Sequence, residues 1–257
     1  MFVVLLGLAF FATALLYASV GFGGGSTYNA LLLLADLPVA VVPVLALACN
    51  IVVVAVGANR FRQAGSLDWD RFWPFAVASI PAAWIGGFIH VPAWLFVALL
   101  ALCLTLAGLL LIWPSLWRDR APRTATTSVT ADAACGALLG LVAGVTGIGG
   151  GIYLSPVLHF RNWGSARLIA GTSAAFILVN SISGLAGQIA KLGAGRSSQM
   201  LFDHWPLLPA VLAGGLIGSQ LGSQIIPERY LRTMTGLLIL YVAVRLGLRF
   251  PTDWAAR

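Results

Sequence analysis

Two glycine clusters carry the chemistry this sequence could perform. The first, GFGGG at 21–25, runs into Ser26, Thr27 and Asn29; the second, GIGGG at 147–151, runs into Tyr153 and Ser155. Glycine inside a helix costs about 1 kcal/mol relative to alanine, so clusters set within long apolar runs mark helix breaks. A break leaves free N–H groups at the start of the next half-helix, where the helix dipole is positive and anions are held. Glycine also lets a ligand reach the backbone with no Cβ in the way. Gly23, Gly24, Gly25 and Ser26, with Gly149, Gly150 and Gly151, are therefore the expected anion seats. Thr27, Asn29, Tyr153 and Ser155 are the expected polar contacts.

The apolar segment after each cluster adds polar groups. PVLALACNIVVVAVGAN supplies Asn50, and GTSAAFILVNSISGLAGQ supplies Thr172, Ser173 and Asn180, all candidates for the same path. Serines in such segments also bond the preceding turn or a neighbouring helix. Asn50 and Asn180 stand apart because they recur at matching places, and buried amides need partners. Close helix packing is the competing role for glycine in membranes, and is the reading for the isolated pairs Gly86–Gly87 and Gly214–Gly215. A nucleotide phosphate loop is not supported, since neither cluster completes G-x-G-x-x-G and no lysine follows.

The negative evidence narrows the chemistry. All eight acidic residues fall at or beyond the ends of apolar runs, so no mid-membrane carboxylate relays protons or holds a cation. His90, His159 and His204 read as interfacial, and Cys49, Cys103 and Cys135 as buried thiols. No metal site, cofactor site or catalytic constellation is expected, which sets an enzyme aside. Arg161 and Arg167 are placed to collect anions at an entrance, or simply to stay solvated.

These groups must be positioned inside a bilayer. The 257 residues are 60% hydrophobic and only 9% charged, against about 25% charged in soluble domains. The chain is read as an all-α polytopic membrane protein. Its net charge of +7 is dispersed in short clusters between apolar runs, an orientation signal and not a nucleic-acid surface. The N-terminal run lacks the basic start of a signal peptide and is read as a retained first span. A span takes about 20 residues, and the pattern gives about eight transmembrane segments. Residues 1–113 form a first transmembrane repeat, 114–131 a polar linker, and 132–257 a second repeat. Each four-segment repeat opens with a glycine-broken segment.

The repeat is legible in the spacing. Gly21, Gly23, Gly24 and Gly25 match Gly147, Gly149, Gly150 and Gly151 at one constant offset, and Asn50 and Gly57 match Asn180 and Gly187 at a slightly larger one. With eight crossings, eleven of the fifteen Lys and Arg residues share one side, leaving Arg161, Arg167, Arg229 and Arg232 opposite, and both termini are cytoplasmic. If the glycine segments are hairpins, the split becomes ten to five. Four crossings per repeat give halves of one orientation; three plus a hairpin give inverted halves. Both occur in secondary transporters, with the substrate at the repeat interface. Trp69, Trp73, Trp94, Trp113, Trp117, Trp163 and Trp205 lie near span ends, as interface anchors do.

The motifs GFGGGSTYNALLL, GVTGIGGGIYLSPVL and AGTSAAFILVNSISGLAG resemble the TauE/SafE family of sulfite exporters. The resemblance covers nearly the whole chain. It implies a secondary transporter moving sulfite, an organosulfonate or a related small anion across the bacterial inner membrane. Ser155–Pro156 stands where the first repeat has Asn29–Ala30, so the two half-sites differ. A passive small-anion channel with the same lining is the alternative. Expected partners are a small anionic substrate and the lipid bilayer, without nucleic acid; a homo-oligomer is left open.

Overall fold

The computed structural model describes residues 2–19, 21–113, 128–224 and 228–254. They form eleven α-helices, and no strand occurs among the described residues. The first half holds α1 (Phe2–Ser19), α2 (Gly25–Leu34), α3 (Val42–Gln63), α4 (Trp69–Phe88) and α5 (Ala93–Ile112). The second holds α6 (Val129–Thr146), α7 (Gly151–Phe160), α8 (Ala166–Leu192), α9 (Ala194–Asp203), α10 (Leu207–Gln224) and α11 (Glu228–Trp254). Four helices, α3, α5, α6 and α8, are long and apolar enough to cross a bilayer. The pair α9–α10, bent by 67°, makes a fifth if counted as one span.

The glycine clusters do break their segments. Gly24 (φ 87°) and Gly150 (φ 78°) cap α2 and α7 in the left-handed conformation, which costs other L residues roughly 1–2 kcal/mol. At each break the chain reverses and does not continue its crossing. Phe10 and Tyr28 stack with centroids 4.7 Å apart; on one straight helix, 18 residues would separate them by roughly 27 Å. Asp132 at the start of α6 pairs with Arg161 just past α7, where collinear helices would put them roughly 40 Å apart. Both α1–α2 and α6–α7 are hairpins whose ends lie on one side. The ends of the two short arms match: Asp36 (φ 59°) and Asn162 (φ 49°) are the non-glycine residues with positive φ among those described.

Glycine contacts fix the directions of the long helices. A Cβ on Gly136, Gly140 or Gly144 of α6 would meet Phe75 O, Ser79 O or Ala83 O of α4 at 2.3, 2.5 and 2.0 Å. The numbers rise together, so α4 and α6 run parallel. Gly214 and Gly218 of α10 approach Phe11 O and Leu15 O of α1 in the same parallel sense. By contrast, α3 and α8 run antiparallel, with Leu47 near Gly184 and Asn50 near Ser181. A Cβ on Gly86, Gly87 or Gly214 would lie 2.3 Å from a neighbouring backbone oxygen, the close packing expected of small residues in membranes.

Five of the tryptophans expected at interfaces, Trp69, Trp73, Trp94, Trp113 and Trp205, are exposed. Trp163 is not. It is buried against Phe75, beneath the Arg71 guanidinium at 4.0 Å. Its position just after α7 brings it inward with the returning arm. Trp117 lies outside the described residues. The short α9, which starts at the glycine turn of Gly193, occupies a stretch that the apolar pattern leaves as a connection.

Candidate functional site

The hairpin tips meet in the buried centre of the molecule, and Asn50 joins them. Its Oδ1 accepts from the Gly25 N–H of α2 at 3.0 Å. Its Nδ2 donates to Ile148 O, between α6 and α7, at 3.0 Å, and lies 3.4 Å from Ser181 Oγ of α8. The glycines around it make this possible. A Cβ on Gly23 would lie 2.2 Å from Asn50 Oδ1, and one on Gly25 or Gly149 would lie 2.6 or 2.8 Å from its Nδ2. The two clusters thus wall a cradle that admits one carboxamide. A second tie runs from Asn29 Nδ2 to Thr146 O at 2.8 Å.

The first hairpin is also fastened within itself. Tyr17 OH shares hydrogen bonds with Ser26 Oγ (2.8 Å) and Thr27 Oγ1 (2.7 Å). All three side chains are buried. Tyr17 was not foreseen from the sequence; only the reversal brings a residue of α1 beside two that lie past the break. A tyrosine one turn or two before a glycine cluster is the signal that could have pointed to it.

The second hairpin is arranged differently. Gly151 N–H turns back to Gly149 O at 3.1 Å. Asn180, the counterpart of Asn50, donates to Phe176 O of its own helix at 2.8 Å, and its buried Oδ1 has no partner. The buried Thr172 Oγ1, Ser173 Oγ and Asn29 Oδ1 are likewise unpartnered. An unpaired buried polar atom costs about 1–3 kcal/mol, so these groups mark where polar contacts are wanted. Ser173 stands at Gly151, where a Cβ would lie 2.5 Å from its carbonyl oxygen. Tyr153, also buried, faces Cys103, and Ser155 lies buried two residues further along α7.

The structure buries the predicted residues, brings Gly23, Gly25 and Gly149 together around Asn50, and ties Asn29 to Thr146. Among the described residues no contact joins Tyr153, Ser155, Thr172 or Asn180 to that cradle. It makes two changes. The Gly25 N–H expected to meet an anion is taken by Asn50, because the amide oxygen fits the glycine cradle. Arg161, read as an anion collector or a solvated side chain, is instead held by Asp132, which is buried in the first turn of α6. No cluster of three or more His, Cys, Asp or Glu residues able to hold a metal occurs among the described residues.

Two glycine-capped half-helix ends thus meet at one buried amide inside a nearly all-apolar bundle. Comparison with known proteins gives the chain's class. The family model described as Sulfite exporter TauE/SafE matches residues 5–246. The chain is 36% identical over 244 residues to a protein of Sinorhizobium fredii named "Probable membrane transporter protein y4hK", covering 94% of this chain and 96% of that one. No solved structure matches. The family match over most of the chain, the similar transporter and the apolar spans agree: the chain belongs to the TauE/SafE family and is a multi-pass membrane transporter.

Proposed function

We propose that this transporter moves a small sulfur-containing oxyanion, sulfite or an organosulfonate, by alternating access between two inverted repeats in the bacterial inner membrane. The observation that carries the reading is the meeting of the two glycine-capped half-helix ends at Asn50. Neutral donors at such ends suit an anion, and the family's description supplies the sulfur chemistry. Gly23 to Ser26 and Gly149 to Gly151 offer the backbone; Thr27, Asn29, Tyr153, Ser155, Thr172, Ser173 and Asn180 offer the polar contacts.

The helix directions support inverted repeats. If each hairpin begins and ends on one face, α3, α4 and α5 cross three times and deliver the chain to the opposite face. The second unit then starts from there. That arrangement requires α4 parallel to α6, α1 parallel to α10, and α3 antiparallel to α8, the relations the glycine contacts give. The hairpins also change the side assigned to the termini. Ten of the fifteen Lys and Arg residues then face the side of the α3–α4 connection, which is cytoplasmic by the positive-inside rule. Both termini lie outside, in place of the cytoplasmic termini that eight crossings require.

The test is thermal stabilisation of the purified protein by sulfite, sulfoacetate, taurine, thiosulfate and sulfate. A ligand at one hundred times its Kd stabilises by about 2.7 kcal/mol. Saturable stabilisation by sulfite or a sulfonate is expected. No response to any of the five would overturn the oxyanion reading.

A further inference from the structure

The two asparagines are placed as counterparts but do opposite things. Asn50 reaches forward from α3 to cap Gly25 and hold Ile148 O of the other hairpin. Asn180 folds back onto Phe176 O, leaving its oxygen buried and unpaired, while Gly151 N–H turns to Gly149 O. The backbone records the same split: Gly149 has φ 83°, whereas its counterpart Gly23 is not in the left-handed region. Two half-sites at matching positions thus occupy two different states in one molecule.

We infer that Asn50 and Asn180 are a pair of positioning residues that exchange these states during transport. In the opposite-facing conformation Asn180 Oδ1 accepts from Gly151 N–H and its amide nitrogen reaches Phe22 O. Asn50 then withdraws onto Ala46 O, one turn back on its own helix. The inference rests on the inverted-repeat reading, under which the two conformations differ by swapping the roles of the halves. It accounts for the orphaned Asn180 oxygen, since a group that serves in only one of two states is left unsatisfied in the other. The N–H that an asparagine vacates turns to the glycine carbonyl two residues back, as Gly151 N–H does here.

The experiment reads each half-helix separately. Leu31 and Val157 are counterparts, both partly exposed and apolar. Leu31→Cys and Val157→Cys are made singly in a chain whose Cys49, Cys103 and Cys135 are replaced by alanine. Labelling by a small maleimide in proteoliposomes gives the ratio of the rate at position 31 to that at 157. Asn50→Ala should raise this ratio and Asn180→Ala should lower it, each by roughly fivefold, the scale of one net hydrogen bond. The double variant should return toward the unsubstituted ratio, and in each single variant one labelling rate should rise while the other falls, which independent loosening of the two hairpins would not give. Asn50→Asp, of the same shape, keeps the Gly25 bond and makes the Ile148 contact repulsive, so it replaces the alanine variant should that fail to insert.

Shifts in the same direction, no shift, or a double variant further displaced than either single one would overturn the exchange. Added sulfite separates the two proposals. If the substrate reading fails and the exchange holds, sulfite leaves the ratio unchanged while the asparagine variants still move it. If only the exchange fails, sulfite moves the ratio and the variants do not displace it in opposite directions.

Discussion

The α1–α2 and α6–α7 hairpins share a plan but are fastened differently. The first is tied near its tip by neutral groups, Tyr17 to Ser26 and Thr27, and Asn50 to Gly25. The second has no such tie at Gly151 and is closed at its base by Asp132 and Arg161. The positions matching that ion pair in the first hairpin are Leu6 and Ala35, which cannot form one. The second tip is held through its carbonyls, at Ile148 by Asn50 and at Thr146 by Asn29, while its Gly151 N–H turns back to Gly149 O. The difference sets neutral hydrogen bonds at the first tip and the Asp132–Arg161 ion pair at the second base.

The largest effect should come from breaking a tip. Gly150→Leu places a side chain at φ 78°, with its Cβ 3.0 Å from the Phe176 ring and 3.3 Å from Leu139 O. Transport in proteoliposomes is expected to fall to background while membrane insertion, checked by fractionation, persists. Retained transport would remove the tip from the substrate path.

Next in size is the base of the second hairpin. Arg161→Ala strands a buried carboxylate and should destabilise by about 3 kcal/mol. Asp132→Ala leaves an arginine that is 30% exposed and able to reach water, so its cost should be about 1 kcal/mol. Thermal unfolding of the two variants measures the ordering, and equal losses would argue against a base closed by a desolvated acid. Smaller again is Tyr17→Phe, which strips a shared partner from Ser26 and Thr27. A loss of about 1–2 kcal/mol is expected, read from the same melts. No loss would mean that the first hairpin is not fastened there.

Much of this plan was legible in the residues. The breaks fall where GFGGG and GIGGG stand, because no other residue tolerates those backbone angles so cheaply. Asn50 and Asn180 were visible as a repeated pair of amides. The reversals were not visible, since they depend on contacts such as Phe10 with Tyr28 that have no signature in local spacing. Counting basic residues favoured straight crossings by a single residue, too small a margin to outweigh packing. The occupation of Gly25 N–H by Asn50 was also hidden: spacing shows that two residues share a face, and not which rotamer joins them. Trp163 illustrates the same limit, because a tryptophan at a span end is an anchor only if the chain beyond it stays at the surface.

The most direct test of the central claim is counterflow of radiolabelled sulfite in proteoliposomes. An alternating-access transporter with the anion held between two hairpin tips predicts uptake that saturates and is accelerated by unlabelled sulfite inside. Flux that rises linearly with concentration and ignores internal sulfite would contradict it and point to a channel.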